Sequence, residues 1–206
     1  NPEDIGTALQ PETKLVSVMY ANNEIGTIQP LEEIADVIRL FRKEAGRFPL
    51  DPPFFHTDAC QAAAYLDLDV GKLGVDLMTI NGSKIYGPKG TGLLFMRRGI
   101  KLEPFWNGGG QENKLRSGTE NIAGIVGLAE ALKLVQANKE KESERLRELR
   151  DYFIKGIFQR IPKVVLNGHP ERRLPNNVNV SILDIEGEAM LLYLDHHGIE
   201  ASTGSA

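Results

Sequence analysis

The chain has 206 residues, with 24 Lys+Arg against 28 Asp+Glu, four His and one Cys. Its 41% apolar and 25% charged content is that of a globular protein rather than a disordered or collagen-like one. One Cys excludes an intramolecular disulfide framework and fits a reducing compartment, while a net charge of −4 gives no support to a broad nucleic-acid-binding surface.

Apolar stretches such as Ala189 to Leu194 are too short to span a bilayer, and no signal-peptide pattern is present. These features predict a soluble, cytoplasmic protein with no membrane or nucleic-acid partner. The chain opens on Asn1-Pro2 without an initiator Met and closes on a Ser/Gly-rich run, Ala201 to Ala206. This is expected of a fragment of a longer polypeptide, one or one and a half domains in size.

In chain order, residues 14–21 (KLVSVMYA) read as a buried strand and Asn22 to Gly26 as a loop. Pro30 stands at the entrance of a helix whose apolar Leu31, Ile34, Ile38 and Phe41 step by three and four. Gly46 ends it as a left-handed cap. A second strand over 53–58 runs into the small-residue segment Ala59 to Ala64. Two more strands, 75–80 and 91–96, flank the glycine-punctuated loop Asn81 to Gly90. Near-continuous apolar strands alternating with a helix predict an α/β sheet, mostly parallel and covered on both faces.

A Gly-rich loop at Asn107 to Gly110 precedes the longest helical pattern, from Asn121 to Arg160. Its first half is apolar at Ile122, Ile125, Ala129 and Leu132. Its second half is charged, with a stripe at Leu146, Leu149, Phe153 and Ile157. It reads as a helix joining a domain over 1–138 to the start of a smaller α+β domain over 139–206. Strands near 163–166 and 177–183, a helix over 186–196 and a short terminal strand complete the expectation.

The chemistry concentrates between His56 and Lys89. His56 and Asp58 lie two apart on a strand and share a face. Asp58 ends the strand, and Gln61 follows where the chain turns back. Ligands of open α/β sheets bind at such strand ends. Lys84 occupies the turn NGSKIYGPKG after the next strand. A Lys and an Asp offered from neighbouring strand ends are what pyridoxal phosphate (PLP) requires: the Lys holds the aldehyde as a Schiff base, and the Asp keeps the pyridine nitrogen protonated. By themselves the two residues also suit a surface turn and a helix cap.

Five words in order add to that pair: NNEIG (22–26), HTDACQ (56–61), SKIYGPKG (83–90), GGGQE (108–112) and RSGT (116–119). Together they resemble the cysteine desulfurases, fold-type I PLP enzymes of the class V aminotransferase superfamily. The resemblance implies the C-terminal part of a PLP-binding large domain, a mostly parallel sheet between helices, and a PLP-dependent conversion of L-cysteine to L-alanine. Sulfur would pass to an enzyme Cys as a persulfide, for iron–sulfur cluster or thiolation pathways.

By the same resemblance Lys84 is the catalytic lysine and a cofactor ligand, and Asp58 pairs with the pyridine nitrogen. Gln61 and Asn23 lie by the ring oxygen, Asn81 and Ser83 reach the phosphate, and Thr119 contacts the partner subunit's phosphate in a homodimer. Its partners would be L-cysteine and a sulfur-acceptor protein, with no resident metal. Many family members carry Ser and His where this chain has Asn81 and Ser83. In the family, STGSA is followed by the nucleophilic Cys, which this sequence does not reach.

Other readings remain open at this point: a selenocysteine lyase or another class V enzyme, or a catalytically incomplete dimer-forming or binding fragment. Cys60 is expected to be a packed, inert thiol with no basic residue adjoining it in sequence. His196-His197 reads as a polar helix end, and Ser117 with Glu120 has capping-box spacing. His56 is left between cofactor packing and a strand-end hydrogen bond.

Overall fold

A computed structural model describes residues 1–204. Two compact units emerge, one of residues 1–20 with 30–138 and the other of residues 21–29 with 139–206.

The first unit opens with a short helix, α1 (Pro2–Ala8), that carries no strong apolar period. It continues through β1 (Leu15–Met19), α2 (Leu31–Glu44), β2 (Phe54–Asp58), α3 (Val70–Leu73), β3 (Leu77–Asn81) and β4 (Gly92–Met96). The four strands form one sheet in the order β1-β2-β3-β4. The first two pairings are parallel, and β4 returns antiparallel to β3 across the turn that holds Lys84. The α/β class with a mostly parallel sheet is therefore as expected.

One face of this sheet is buried. Phe55 and Thr57 of β2 and Met78 and Ile80 of β3 lie in the core with Leu31, Ile34, Ala35 and Ile38 of α2. The other face departs from the expectation of cover on both sides: Ser17 is exposed, and His56, Asp58 and Thr79 are only half-buried. The apolar runs are interrupted at these alternate positions, and a period of two places the interruptions together.

A buried ion cluster ties the layers. Asp76, 2% exposed, accepts from Arg42 Nη2 at 2.5 Å and from the Phe55 amide at 2.9 Å. The Arg97 Nε stands 3.0 Å from its other oxygen.

The long helix is α4 (Ile122–Arg160); its first part, to residue 138, belongs to this unit. The expected apolar face is rotated. Ile122 and Ile125 are exposed, while Gly124 and Leu128 are buried. Its small residues decide this, since they admit the Lys84 loop at close range. A Cβ on Gly124 would come within 2.6 Å of the Thr91 methyl, and one on Gly127 within 2.6 Å of Pro88. The N-cap is Asn121, whose Oδ1 accepts the Gly124 amide at 3.0 Å. The Ser117/Glu120 box is not used: Ser117 Oγ instead donates to the carbonyls of Trp106 and Asn107.

In the second unit α4 buries Ser143 and Arg150. Leu149 and Phe153 of the expected stripe remain exposed, because Arg150 takes the inward position to donate to the carbonyls of Arg173 and Leu174, 3.2 Å each. A two-stranded antiparallel sheet, β5 (Val164–Leu166) with β6 (Val180–Ile182), and α5 (Gly187–His196) follow. The second strand is shorter than predicted; before it, Asn177 and Asn179 donate their side-chain amides to the Glu24 carbonyl. No strand follows α5 among the described residues.

Segment 21–29 joins this unit through hydrogen bonds. Arg173 Nη2 donates to the Ile25 carbonyl at 2.9 Å, the Leu174 amide to Gly26 at 2.8 Å, and the His169 amide to Thr27 Oγ1 at 3.0 Å.

Candidate functional site

The C-terminal ends of the parallel strands β2 and β3 present the candidate residues. Asp58 closes β2 in register with Thr79 of β3, and β3 ends two residues later at Asn81. The chain then tightens into a 3-10 turn, Gly82–Ile85, capped by Asn81. Asn81 Oδ1 accepts the Ser83 amide at 2.9 Å and the Ser83 hydroxyl at 2.8 Å.

Ile85 is fully buried and pins the turn, so its neighbour Lys84 faces solvent. Gly82 is required here. Its amide donates to Thr91 O and its carbonyl accepts from Gly87, both at 2.9 Å, and a Cβ would meet the Pro88 carbonyl at 3.0 Å. The glycines of the loop thus serve close backbone approach, and the lysine rides on a turn closed by its own hydrogen bonds.

Cys60 links the two strand ends. Its amide donates to Asp58 Oδ1 at 2.9 Å. Burial, first, and then the hydrogen bond and charge of Asp58 push the thiol up to about 12, against smaller opposite pulls from the Asn81 backbone and the Lys84 charge. These causes disfavour the thiolate at neutral pH, the direction that the expectation of an unreactive thiol requires. The absence of a basic neighbour was true of the sequence only: Lys84 acts on Cys60 electrostatically, and burial with Asp58 outweighs it.

His56 is held by both ring nitrogens. Nδ1 lies 2.8 Å from Ser17 Oγ and Nε2 lies 2.8 Å from Thr79 Oγ1. Burial lowers its pKa from the ordinary histidine value, with Asp58 pulling weakly upward. Sequence left this residue undecided. Its cross-strand partners become visible only through the register, which sets Ser17 opposite His56.

Asp58, Asn81, Ser83 and Lys84 are thus brought to one end of the sheet. Gln61, half-buried, follows Asp58 in the turn after β2. Asn23 lies in the second unit, on the turn in which Asn22 Oδ1 accepts the amides of Glu24 and Ile25. Thr119 is exposed in the loop before α4, next to Gly118, whose amide donates to Gln111 Oε1 at 3.2 Å. A concavity of about 370 Å³ lies elsewhere, on the Gly-rich loop, lined by Pro104, Trp106, Asn107, Gly108 to Gly110 and Lys114. None of its lining residues belongs to the Asp58–Lys84 group.

His196 and His197 meet edge to face, 5.3 Å between ring centroids. No group of three or more metal-binding side chains occurs among the described residues, and none of their helices is long and apolar enough to cross a membrane.

This layout of Lys-bearing turn and strand-end Asp coincides with a family match that covers residues 1–206, to the aminotransferase class-V model. The chain belongs to the class V aminotransferase family. Within it, the chain is 48% identical to cysteine desulfurase IscS of Dictyoglomus turgidum over 206 residues, all of this chain and 50% of that protein. It is 50% identical to cysteine desulfurase IscS of Clostridium botulinum strain Hall, over 99% of this chain and 49% of that one.

Among solved structures, a NifS-like protein superposes with a TM-score of 0.88 at 33% identity, over 98% of this chain and 53% of that chain. The NifS-like protein from Rickettsia africae gives 0.83 at 31%, with the same coverage. The class V chain spans about half the length of the curated relatives it matches.

Proposed function

We propose that the complete protein is a PLP-dependent cysteine desulfurase, in which L-cysteine and an enzyme thiol yield L-alanine and an enzyme persulfide. The single observation that carries this reading is the presentation of Asp58 and Lys84 from adjacent strand ends: Asp58 closes β2 beside Thr79 of β3, and Lys84 lies on the turn into which β3 runs. The names of the relatives at 48% and 50% identity support it.

The residues present fit the cofactor. The half-buried Asp58 carboxylate has one oxygen tied to the Cys60 amide, which orients it as an acceptor for the protonated ring nitrogen. Lys84 is a primary amine on a rigid turn and supplies the group that condenses with an aldehyde. Ser83 and Asn81 bond to each other, so a phosphate gains the Ser83 hydroxyl by one rotation about its C–O bond. When bound, PLP draws electrons from the substrate Cα and so weakens the bonds around it.

The chain's own residues do the rest. Lys84 holds the cofactor and, when displaced by substrate, moves a proton on and off the substrate carbon. Asp58 keeps the ring nitrogen protonated. Gln61 hydrogen-bonds the ring oxygen. Thr119 serves the phosphate of a partner subunit in a homodimer. The sulfur goes to an acceptor protein of an iron–sulfur cluster or thiolation pathway, and the cytoplasmic placement rests on the single Cys of the sequence.

The test is an absorbance scan on adding PLP, then borohydride reduction and peptide mapping. A reduced adduct on Lys84, lost in Lys84→Ala, is expected. Label spread over surface lysines, or an unchanged spectrum in that variant, overturns the assignment.

A further inference from the structure

Beside Asp58 lies a line of polar side chains for which the cofactor reading has no use. Ser17, His56 and Thr79 share the Asp58 face of the sheet, because Ser17 is in register with His56 and Thr79 with Asp58, and His56 and Asp58 are two apart on one strand. The imidazole spans three strands: Ser17 Oγ of β1 is 2.8 Å from Nδ1, and Thr79 Oγ1 of β3 is 2.8 Å from Nε2.

Both ring nitrogens therefore engage neutral hydroxyls, and neither engages the carboxylate one turn of the pleat away. A neutral imidazole carries one N–H and one bare nitrogen, so one hydroxyl accepts and the other donates. The charged group that acts on it is Asp58, two residues on along its own strand; its contact with β1 is the neutral Ser17 hydroxyl and with β3 the neutral Thr79 hydroxyl. Burial favours its neutral form over the pull of Asp58.

A positive charge at His56 would compete with any cation for the Asp58 carboxylate. At an effective dielectric near 20, two unit charges about 7 Å apart, the span of two residues along a strand, interact by kilocalories rather than tenths. We propose that His56 is a positioning residue: the Ser17–His56–Thr79 bridge holds an uncharged imidazole beside Asp58, fixed so that it cannot pair with that carboxylate, and so leaves Asp58 to the protonated ring nitrogen of the cofactor. This deepens the PLP reading and rests on it.

The test uses the full-length protein, with PLP affinity measured by absorbance titration from pH 5 to 8.5 and the His56 pKa followed by NMR of its ring proton. In the unmodified protein His56 charges below the ordinary histidine range. Affinity for PLP holds down to that point and then falls by about tenfold, the coupling that one pKa unit represents.

Ser17→Ala and Thr79→Val, made separately, each remove one hydroxyl, and Ser17 is exposed, so folding tolerates its loss. Whichever hydroxyl donates to the bare nitrogen raises the His56 pKa when lost, and the acid step in PLP affinity moves up in pH by the same amount. His56→Gln removes the step altogether.

A His56 pKa that moves without the affinity step, or a step that persists in His56→Gln, overturns the proposal. Asp58→Asn separates the two levels. If it weakens PLP binding while the His56-bridge variants do not move the step, this proposal falls alone. If it leaves PLP binding and absorbance unchanged, the cofactor reading falls and carries the proposal with it.

Discussion

Replacing Asp76 by Asn tests whether the first unit is held by its buried charges. Asp76 is 2% exposed and Arg42 7%; their contact is 2.5 Å, and Asp76 also accepts the Phe55 amide. Removing the negative charge leaves the Arg42 guanidinium buried without a counter-charge, a change that costs about 3–5 kcal/mol. Arg42 keeps its bonds to the carbonyls of Pro49 and Pro53, which places the expected loss near the lower end, about 3 kcal/mol.

Against total stabilities of about 5–15 kcal/mol, that is a large fraction. With a urea slope of about 2 kcal/mol/M, the unfolding midpoint moves down by about 1.5 M, read by far-ultraviolet circular dichroism. The double replacement Arg42→Met with Asp76→Asn removes the uncompensated charge while keeping an acceptor for the Phe55 amide, and recovers part of the loss. A loss under about 1 kcal/mol in Asp76→Asn, or a double variant as unstable as the two single changes added, would falsify the view that an uncompensated charge sets the cost.

Three further outcomes are expected. The Cys60 thiol, pushed up to about 12 from 9.0, reacts with iodoacetamide at pH 8 on the order of a thousandfold more slowly than a free thiol; a rate within tenfold of glutathione contradicts its burial. Gly168→Ala lowers stability of the second unit by more than about 1 kcal/mol, because φ is +81° there and a Cβ would stand 2.5 Å from the Ile25 carbonyl; a denaturation midpoint equal to the parent's would be decisive against it. The folded state favours neutral His56, so its contribution to stability is whole above about pH 6.5 and is lost as pH falls from there through the lowered folded value. Between pH 7 and 5, His56→Gln should therefore lose less stability than the parent, and parallel pH–stability curves would rule this out.

Much of the site was legible in one dimension because its parts are local. Asp58 ends an apolar strand and Gln61 follows in its turn, while Asn81, Ser83 and Lys84 lie within one glycine-punctuated loop; short-range geometry places each group, and the parallel pairing of β2 with β3 brings the two to one end of the sheet. The close backbone approach at Gly82 likewise follows from a turn that leaves no room for a side chain. Periodicity was less informative along α4, where the inward face was decided by Gly124 and Gly127 meeting the Lys84 loop and by Arg150 reaching two carbonyls, neither of which is a hydrophobic signal.

The α/β class and the strand–turn–lysine unit follow from the sequence by itself, since local propensity, turn chemistry and spacing determine them. Tertiary structure alone decided three things: the bridge from Ser17 through His56 to Thr79, the burial of Asp76 between two arginines, and the grouping of residues 21–29 with 139–206. Each depends on which residues, distant along the chain, come into register or contact, and a side chain's charge and hydrogen bonds are set by those neighbours rather than by the residues beside it in sequence.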